Sequence, residues 1–198
     1  MSDNPSSAEN QQERLIQIGW IVGFVDGEGC FSINLVRQAG SATRKGYKTG
    51  YQVGHTFAVV QGAKSLDSLE TLRKFFGVGT LSLNRRHDNH REHLYRYLVN
   101  RRDDLIRVII PFFRQYPLQT AKRTDFNKFA YCVERMSEGH HLTQAGLIEM
   151  IEVAQTMNHQ KSRHELIRIL RDHTPNIPNR DEDMVPAAWR HAGTVIRE

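Results

Sequence analysis

The segment Gly19-Trp20-Ile21-Val22-Gly23-Phe24-Val25-Asp26-Gly27-Glu28-Gly29 constrains this chain more than any other. From Leu15 onward it is apolar nearly all round, so as a helix it must be buried on most sides. Gly19 and Gly23 lie four apart, on one helical face. Glycine inside a helix costs about 1 kcal/mol against alanine, so such a pair points to another backbone passing close by. Gly27 and Gly29 follow, and glycine takes the left-handed conformation that commonly ends a helix. The expected helix therefore covers about 11–26. Asp26 and Glu28 then stand at its C-terminus, the unfavourable end for carboxylates. A divalent cation would supply the compensating charge. An isolated acid-Gly-acid-Gly stretch more often marks an ordinary glycine cap; the apolar run and the glycine pair reverse that preference.

Downstream, Phe31, Ile33 and Leu35 alternate with Ser32 and Asn34, the period of a half-buried strand over 30–37. A second strand spans 51–61, with Val53, Phe57 and Val59 on one face and Gln52, Thr56 and Ala58 on the other. Between them, Gly40, Gly46 and Gly50 with Arg44, Lys45 and Lys48 read as a flexible basic hairpin loop. Leu66, Leu69, Leu72 and Phe76 have helical spacing, and Gly77-Val78-Gly79 ends that helix. Strands follow over 80–84 and 93–100, separated by a polar loop. A helix over about 103–113 stops near Pro111 and Pro117. Further helices cover 122–136, 142–157 and 161–171, with Thr143 a candidate N-cap. Residues 1–10 read as a disordered lead and 172–198 as an irregular tail.

The expected class is α+β, in the order αββαββα with extra C-terminal helices, forming one domain over 11–171. Helices cover one face of an antiparallel, saddle-like sheet. The other face, carrying Ser32, Asn34, Gln52, Thr56, Ala58, Ser82, Asn84 and Arg96, stays open. Such a face suits the DNA major groove, which admits a β-ribbon and shows a distinct pattern for each base pair. A net charge of +5 and a pI near 9.4 agree with a polyanionic partner. Cys30 and Cys132 are too few for a disulfide framework or a zinc site. The polar, acidic start is no signal peptide, and no apolar run reaches membrane-spanning length. These features predict a soluble intracellular protein without a membrane role.

Residues 21–29 resemble the motif of the LAGLIDADG homing endonucleases at all nine positions in character. The αββαββα order is similar to the family's core over about 11–137. The resemblance implies that the motif helix pairs with a second copy of itself, through Gly19, Val22, Gly23 and Asp26. The acid at the eighth motif position, here Glu28, then binds the catalytic metal. The family's name has Asp there, and Glu is a known alternative. The implied cofactor is Mg²⁺, two or more ions per dimer, with the Gly27 carbonyl an extra ligand. Asp26 is assigned mainly to structure, capping or bracing the helix pair. Gln61 matches a glutamine that positions water near the metals; as a lone residue it reads equally well as an ordinary polar strand end. A lysine near the scissile phosphate is implied after the turn at Pro117. Lys122 fits best, with Arg123 second and Thr120 opposite if the alignment slips. The implied DNA contacts are Ser32, Asn34, Val36, Arg37, Arg44, Lys45, Lys48, Gln52, Gly54, Thr56, Ala58, Ser82, Asn84, Arg86, Arg96, Lys161 and Arg163.

A second motif is absent: Ala145-Gly146-Leu147-Ile148-Glu149 would place Ile151 at the metal-binding position. One motif implies a homodimer on a nearly palindromic duplex. The resemblance further implies an intron-encoded or free-standing protein, in a bacterial cytoplasm or in an organelle that encodes it. His87, His90 and His93 match no common zinc spacing and read as a charged turn, and His140-His141 as a helix entry. No Gly-x-x-x-x-Gly-Lys loop occurs, so no nucleotide cofactor is expected. Two other readings stay open: an RNA-binding intron maturase without cleavage, and a DNA-binding regulator on the same fold. A Mg²⁺ requirement for cutting, absent for binding, separates the enzyme from both.

Overall fold

The computed structural model describes residues 5–38, 50–84, 93–158 and 167–168. Helix α1 (Pro5–Glu28) leads into strands β1 (Gly29–Arg37) and β2 (Tyr51–Gly62). Helix α2 (Leu66–Phe76) follows, then β3 (Thr80–Asn84) and β4 (Leu94–Val99). A continuous helical segment comes next: α3 (Arg102–Asp104), a π-helical turn (Leu105–Ile109) and α4 (Ile110–Gln115). Helices α5 (Lys122–Ser137) and α6 (Gln144–Gln155) follow. The sheet is antiparallel, in the order β1-β2-β4-β3. The α+β class and the αββαββα order are therefore as expected.

Register explains where the core sits. Phe31 pairs with Phe57 and Gly29 with Val59, which puts the apolar side of both strands on one face. The Phe31 and Phe57 rings stack at 4.9 Å, and Phe113, Phe126 and Phe129 close on Phe31 from the helices. Ile18, Ile21 and Val25 are the α1 side chains buried against this core. Two sequence signals act as expected. Gly77 ends α2 at φ 65°, donating its amide to the Arg73 carbonyl. Thr143 caps α6, its hydroxyl accepting from the Gly146 amide at 3.1 Å.

Three expectations are corrected. Residues 5–10, expected to be a disordered lead, belong to α1. Proline suits a first helical turn, where its missing N–H has no partner anyway, and Ala8, Glu9, Gln11 and Gln12 favour helix. Secondly, neither Gly27 nor Gly29 is left-handed; the described glycines with positive φ are Gly50, Gly77, Gly79 and Gly139. α1 instead runs through Gly27 and passes directly into β1. What Gly29 supplies is space: a Cβ there would lie 2.6 Å from both Val25 Cγ1 and the Val25 carbonyl oxygen. Gly29→Ala is therefore expected to destabilise the fold by about 1–3 kcal/mol, read as a lower urea midpoint. Thirdly, the helix expected over 103–113 is not plain α-helix: a π turn precedes Pro111, and the segment runs on to Gln115. Proline leaves the carbonyl four residues back without its donor and crowds it, and the wider π turn beside it accommodates both effects.

His55 lies on the helix-facing side of β2, opposite Ile33. Both its ring nitrogens are buried without a hydrogen-bond partner among the described residues. Burial lowers its pKa from 6.5 to about 4, with Arg102 and His141 adding repulsion. The unfolded chain takes up this proton near 6.5 and the folded chain only near 4. The contribution is thus complete above 6.5 and is lost as pH falls toward 4. His55→Gln should flatten the acid limb of stability by up to about 3 kcal/mol. Urea midpoints for both proteins across that range check this, and parallel profiles would count against it.

Candidate active site

The C-terminal end of α1 meets the turn that precedes α5. Asp26 faces this turn, accepting from the Gln119 amide at 2.6 Å and the Thr120 hydroxyl at 2.6 Å. The Thr120 amide adds a bifurcated contact of 3.2 Å to each carboxylate oxygen. Burial pushes the Asp26 carboxyl up, but the donors from Thr120 and Gln119, with Lys122 nearby, outweigh it and hold it below the usual range. Two amides and a hydroxyl therefore compensate this carboxylate within the chain. Asp26 thereby braces the turn over 117–121.

Lys122, the first residue of α5, reaches back across that end. Its ammonium donates to the Gly27 carbonyl at 3.1 Å and the Gly29 carbonyl at 2.5 Å. Burial draws its pKa down, against the pull of Cys30, Asp26, Glu28 and Asp125 around it. Glu28 and Gly27 are exposed beside it. Tertiary folding thus brings together Glu28, Gly27 and Lys122, although Gly27 and Lys122 are 95 positions apart in the sequence. Gln61 stands two residues beyond Val59, the partner of Gly29, and so occupies the same end of the sheet. By parity it shares the helix-facing side with Val59, and its Cα partner is Tyr95.

The outer face of α1 has no partner among the described residues. Gly19, Gly23 and Gly27 are exposed, and a Cβ on any of them would meet nothing within 4 Å. Leu15, Ile16 and Trp20 flank them at 63%, 65% and 41% exposure. Val22 is half-buried at the margin.

On the sheet, register places Ser32, Asn34, Val36, Gln52, Gly54, Thr56, Ala58, Ser82 and Arg96 on the face away from the helices, and the Cα partner of Asn84 is Leu94. Two of these are not available as expected. Ala58 is 1% exposed, a methyl set low between Cys30 and Leu98. Arg96 is 6% exposed, between Val60 and Ser82. Arg37 falls by parity on the other face, opposite Tyr51. Gly54 makes room for Asn34: a Cβ there would lie 1.9 Å from Asn34 Oδ1. Arg44, Lys45, Lys48, Arg86, Lys161 and Arg163 lie outside the described residues, as do His87 and His90.

The family model described as LAGLIDADG endonuclease matches residues 21–133, more than half of the chain. The chain belongs to the LAGLIDADG endonuclease family. Among solved structures, the homing endonuclease I-TnaI is similar at 37% identity and a TM-score of 0.62, over 79% of this chain and 96% of that one. The I-SmaMI LAGLIDADG homing endonuclease bound to cleaved DNA is similar at 31% identity and a TM-score of 0.64, over 79% of this chain and 48% of that one. Probable intron-encoded endonuclease 2 of Neurospora crassa is 28% identical over 138 residues, 70% of this chain and 26% of that protein. An uncharacterized 50.9 kDa protein in ND4 intron 1 of Podospora anserina is 33% identical over 127 residues, 63% of this chain. The chain spans about a quarter of the length of these two relatives, 26% and 25%.

Within this LAGLIDADG chain, the donors at the end of α1 suit a hard divalent cation. They are oxygens, the Glu28 carboxylate and the Gly27 carbonyl, and that carbonyl already receives a positive group, the Lys122 ammonium. Among the described residues, no three His, Cys, Asp or Glu side chains gather into a metal site. The motif helix therefore brings one exposed acid, Glu28, and one committed acid, Asp26. Sequence reasoning missed the Asp26 partners. Backbone amides just ahead of a helix are natural carboxylate donors, and Gln119 and Thr120 stand there. It also missed Asn158, whose amide donates to the Phe31 carbonyl at 3.0 Å and ties the end of α6 to the edge strand. No described helix is long and apolar enough to cross a membrane.

Proposed function

We propose that this chain is a site-specific, Mg²⁺-dependent DNA endonuclease that acts as a homodimer. It hydrolyses both strands of a long, nearly palindromic target and leaves short 3′ overhangs. The observation that carries this reading is the meeting of Glu28, the Gly27 carbonyl and Lys122 at the end of a helix whose glycine face is exposed. Two such helices pressed together along Gly19 and Gly23 would set two Glu28 side chains near the twofold axis. The relatives support the assignment: I-SmaMI is seen bound to DNA, and the Neurospora protein is named an intron-encoded endonuclease. The chain matches nearly all of I-TnaI but about half of I-SmaMI, 96% against 48%, which leaves I-SmaMI room for a second such unit.

Each residue has a distinct role. Glu28 and the Gly27 carbonyl hold divalent ions, which when bound activate water and neutralise charge on the phosphate and the leaving oxygen. Gln61 orients water, and Lys122 supplies positive charge to the scissile phosphate. On the open sheet face, the exposed Val36 and Gln52 and the half-buried Ser32, Asn34 and Thr56 read bases, and basic side chains grip phosphates. Asp26 keeps the turn before α5 against α1, so that Lys122 stays beside Glu28. A cleavage assay on a randomised duplex library with Mg²⁺ tests the reading. Site-specific cutting is expected; binding without cutting under any divalent cation would reject it.

A further inference from the structure

The hydrogen bonds of Lys122 carry a consequence for how this site is loaded. We propose that Lys122 serves as an internal cation in the DNA-free protein, occupying the metal's place at the Gly27 carbonyl until a divalent ion displaces it. The inference rests on the metal-dependent reading above and concerns the order in which that site fills.

The end of α1 concentrates negative potential. Its last carbonyls carry the negative end of the helix dipole, and Asp26 and Glu28 add two carboxylates. Among the described residues, Asp125 on α5 and Cys30 on β1 are the other titratable groups that act on the same spot. An ammonium is a compact point charge with three donors and no acceptor, on a flexible stem. Lys122 places that charge on two carbonyls at once, Gly27 at 3.1 Å and Gly29 at 2.5 Å. A divalent ion on the Gly27 carbonyl would meet this ammonium at close range and in a partly dry setting, where like charges repel strongly. The two cations therefore exclude each other at that oxygen. The four-carbon stem lets the lysine swing off the carbonyls without moving α5, because Asp26 holds the turn in place through the Gln119 and Thr120 amides. Release also frees the ammonium for the phosphate. Metal arrival and lysine delivery then become one coupled event, and the unloaded protein keeps its acidic end neutralised.

Calcium binding to the DNA-free protein, measured by calorimetry, tests this with a readout independent of cleavage. Lys122→Met should bind Ca²⁺ about tenfold tighter or more than the wild type. Lys122→Arg, which keeps the charge, should stay near the wild type, and adding Glu28→Gln to Lys122→Met should remove the gain. Equal or weaker binding by Lys122→Met overturns the proposal, because a lysine that only braced the helix end would loosen the site when removed. A second measurement needs no variant. Reductive methylation of Lys122, followed by mass spectrometry, should quicken when Ca²⁺ saturates the wild-type protein. An unchanged rate at saturation overturns the proposal. Absence of Mg²⁺-dependent cutting would sink the endonuclease reading alone, whereas a failed calcium test beside intact cutting would sink only this role of the lysine.

Discussion

Glu28→Gln is expected to reduce Mg²⁺-dependent cleavage by about three orders of magnitude or more while leaving DNA affinity within a few fold. The substitution keeps the size of the side chain and removes the charge that holds the ion. Losing several kcal/mol of metal-derived stabilisation corresponds to about a thousandfold in rate, at roughly 1.4 kcal/mol per decade. The fold should not suffer, because Glu28 is exposed at the end of α1 and takes no part in the core. Single-turnover cleavage and an electrophoretic binding assay in Ca²⁺ would separate the two effects. Retained cutting by this variant would remove Glu28 from the chemistry. Equal loss of binding and cutting would instead assign it to DNA recognition.

Gly23→Leu should convert the proposed homodimer to a monomer and abolish double-strand cutting, with the chain still folded. The two effects separate for a structural reason. A Cβ at Gly23 or Gly19 meets nothing within 4 Å, so the chain itself has no need for glycine there. Replacing glycine in a helix interior gains up to about 1 kcal/mol of helix stability. Thermal stability of the isolated chain should therefore hold or rise, while leucine keeps two helices from close approach. Sedimentation of wild type and variant, with circular dichroism as the folding control, decides the matter. A variant that sediments like the wild type would show that this face is not the pairing surface. Gly29→Ala makes an instructive contrast within the same motif, because its Cβ meets Val25 and the expected cost falls on folding.

Much of the architecture was legible from periodicity and punctuation. Alternation over 30–37 and 51–61 predicted β1 and β2, and the Phe31–Phe57 pair shows that the apolar parity was read correctly. Gly77 and Thr143 acted as the local caps their chemistry suggests. The reading erred where a local rule met a neighbour. Gly27 and Gly29 looked like a left-handed cap, yet α1 passes straight into β1, and Gly29 is small because Val25 lies against it. Pro111 falls inside the helix expected over 103–113, but the π turn ahead of it was not foreseen.

The candidate site divides along the same line. Residue types and their spacing along α1 were enough to pick out the glycine face and two acids in need of compensation, Asp26 and Glu28, because helical periodicity is a local property; only the family resemblance preferred Glu28. Which charge answers which acid was not local. Asp26 is satisfied by Gln119 and Thr120, and the end of α1 by Lys122, groups more than 90 residues away that only chain folding brings near. Burial on the sheet was likewise a tertiary outcome. Ala58 and Arg96 share the face of Ser32 and Thr56 by parity, but their neighbours on adjacent strands decide how much solvent they meet. A one-dimensional pattern specifies the side a residue takes; only packing in three dimensions specifies what stands opposite it.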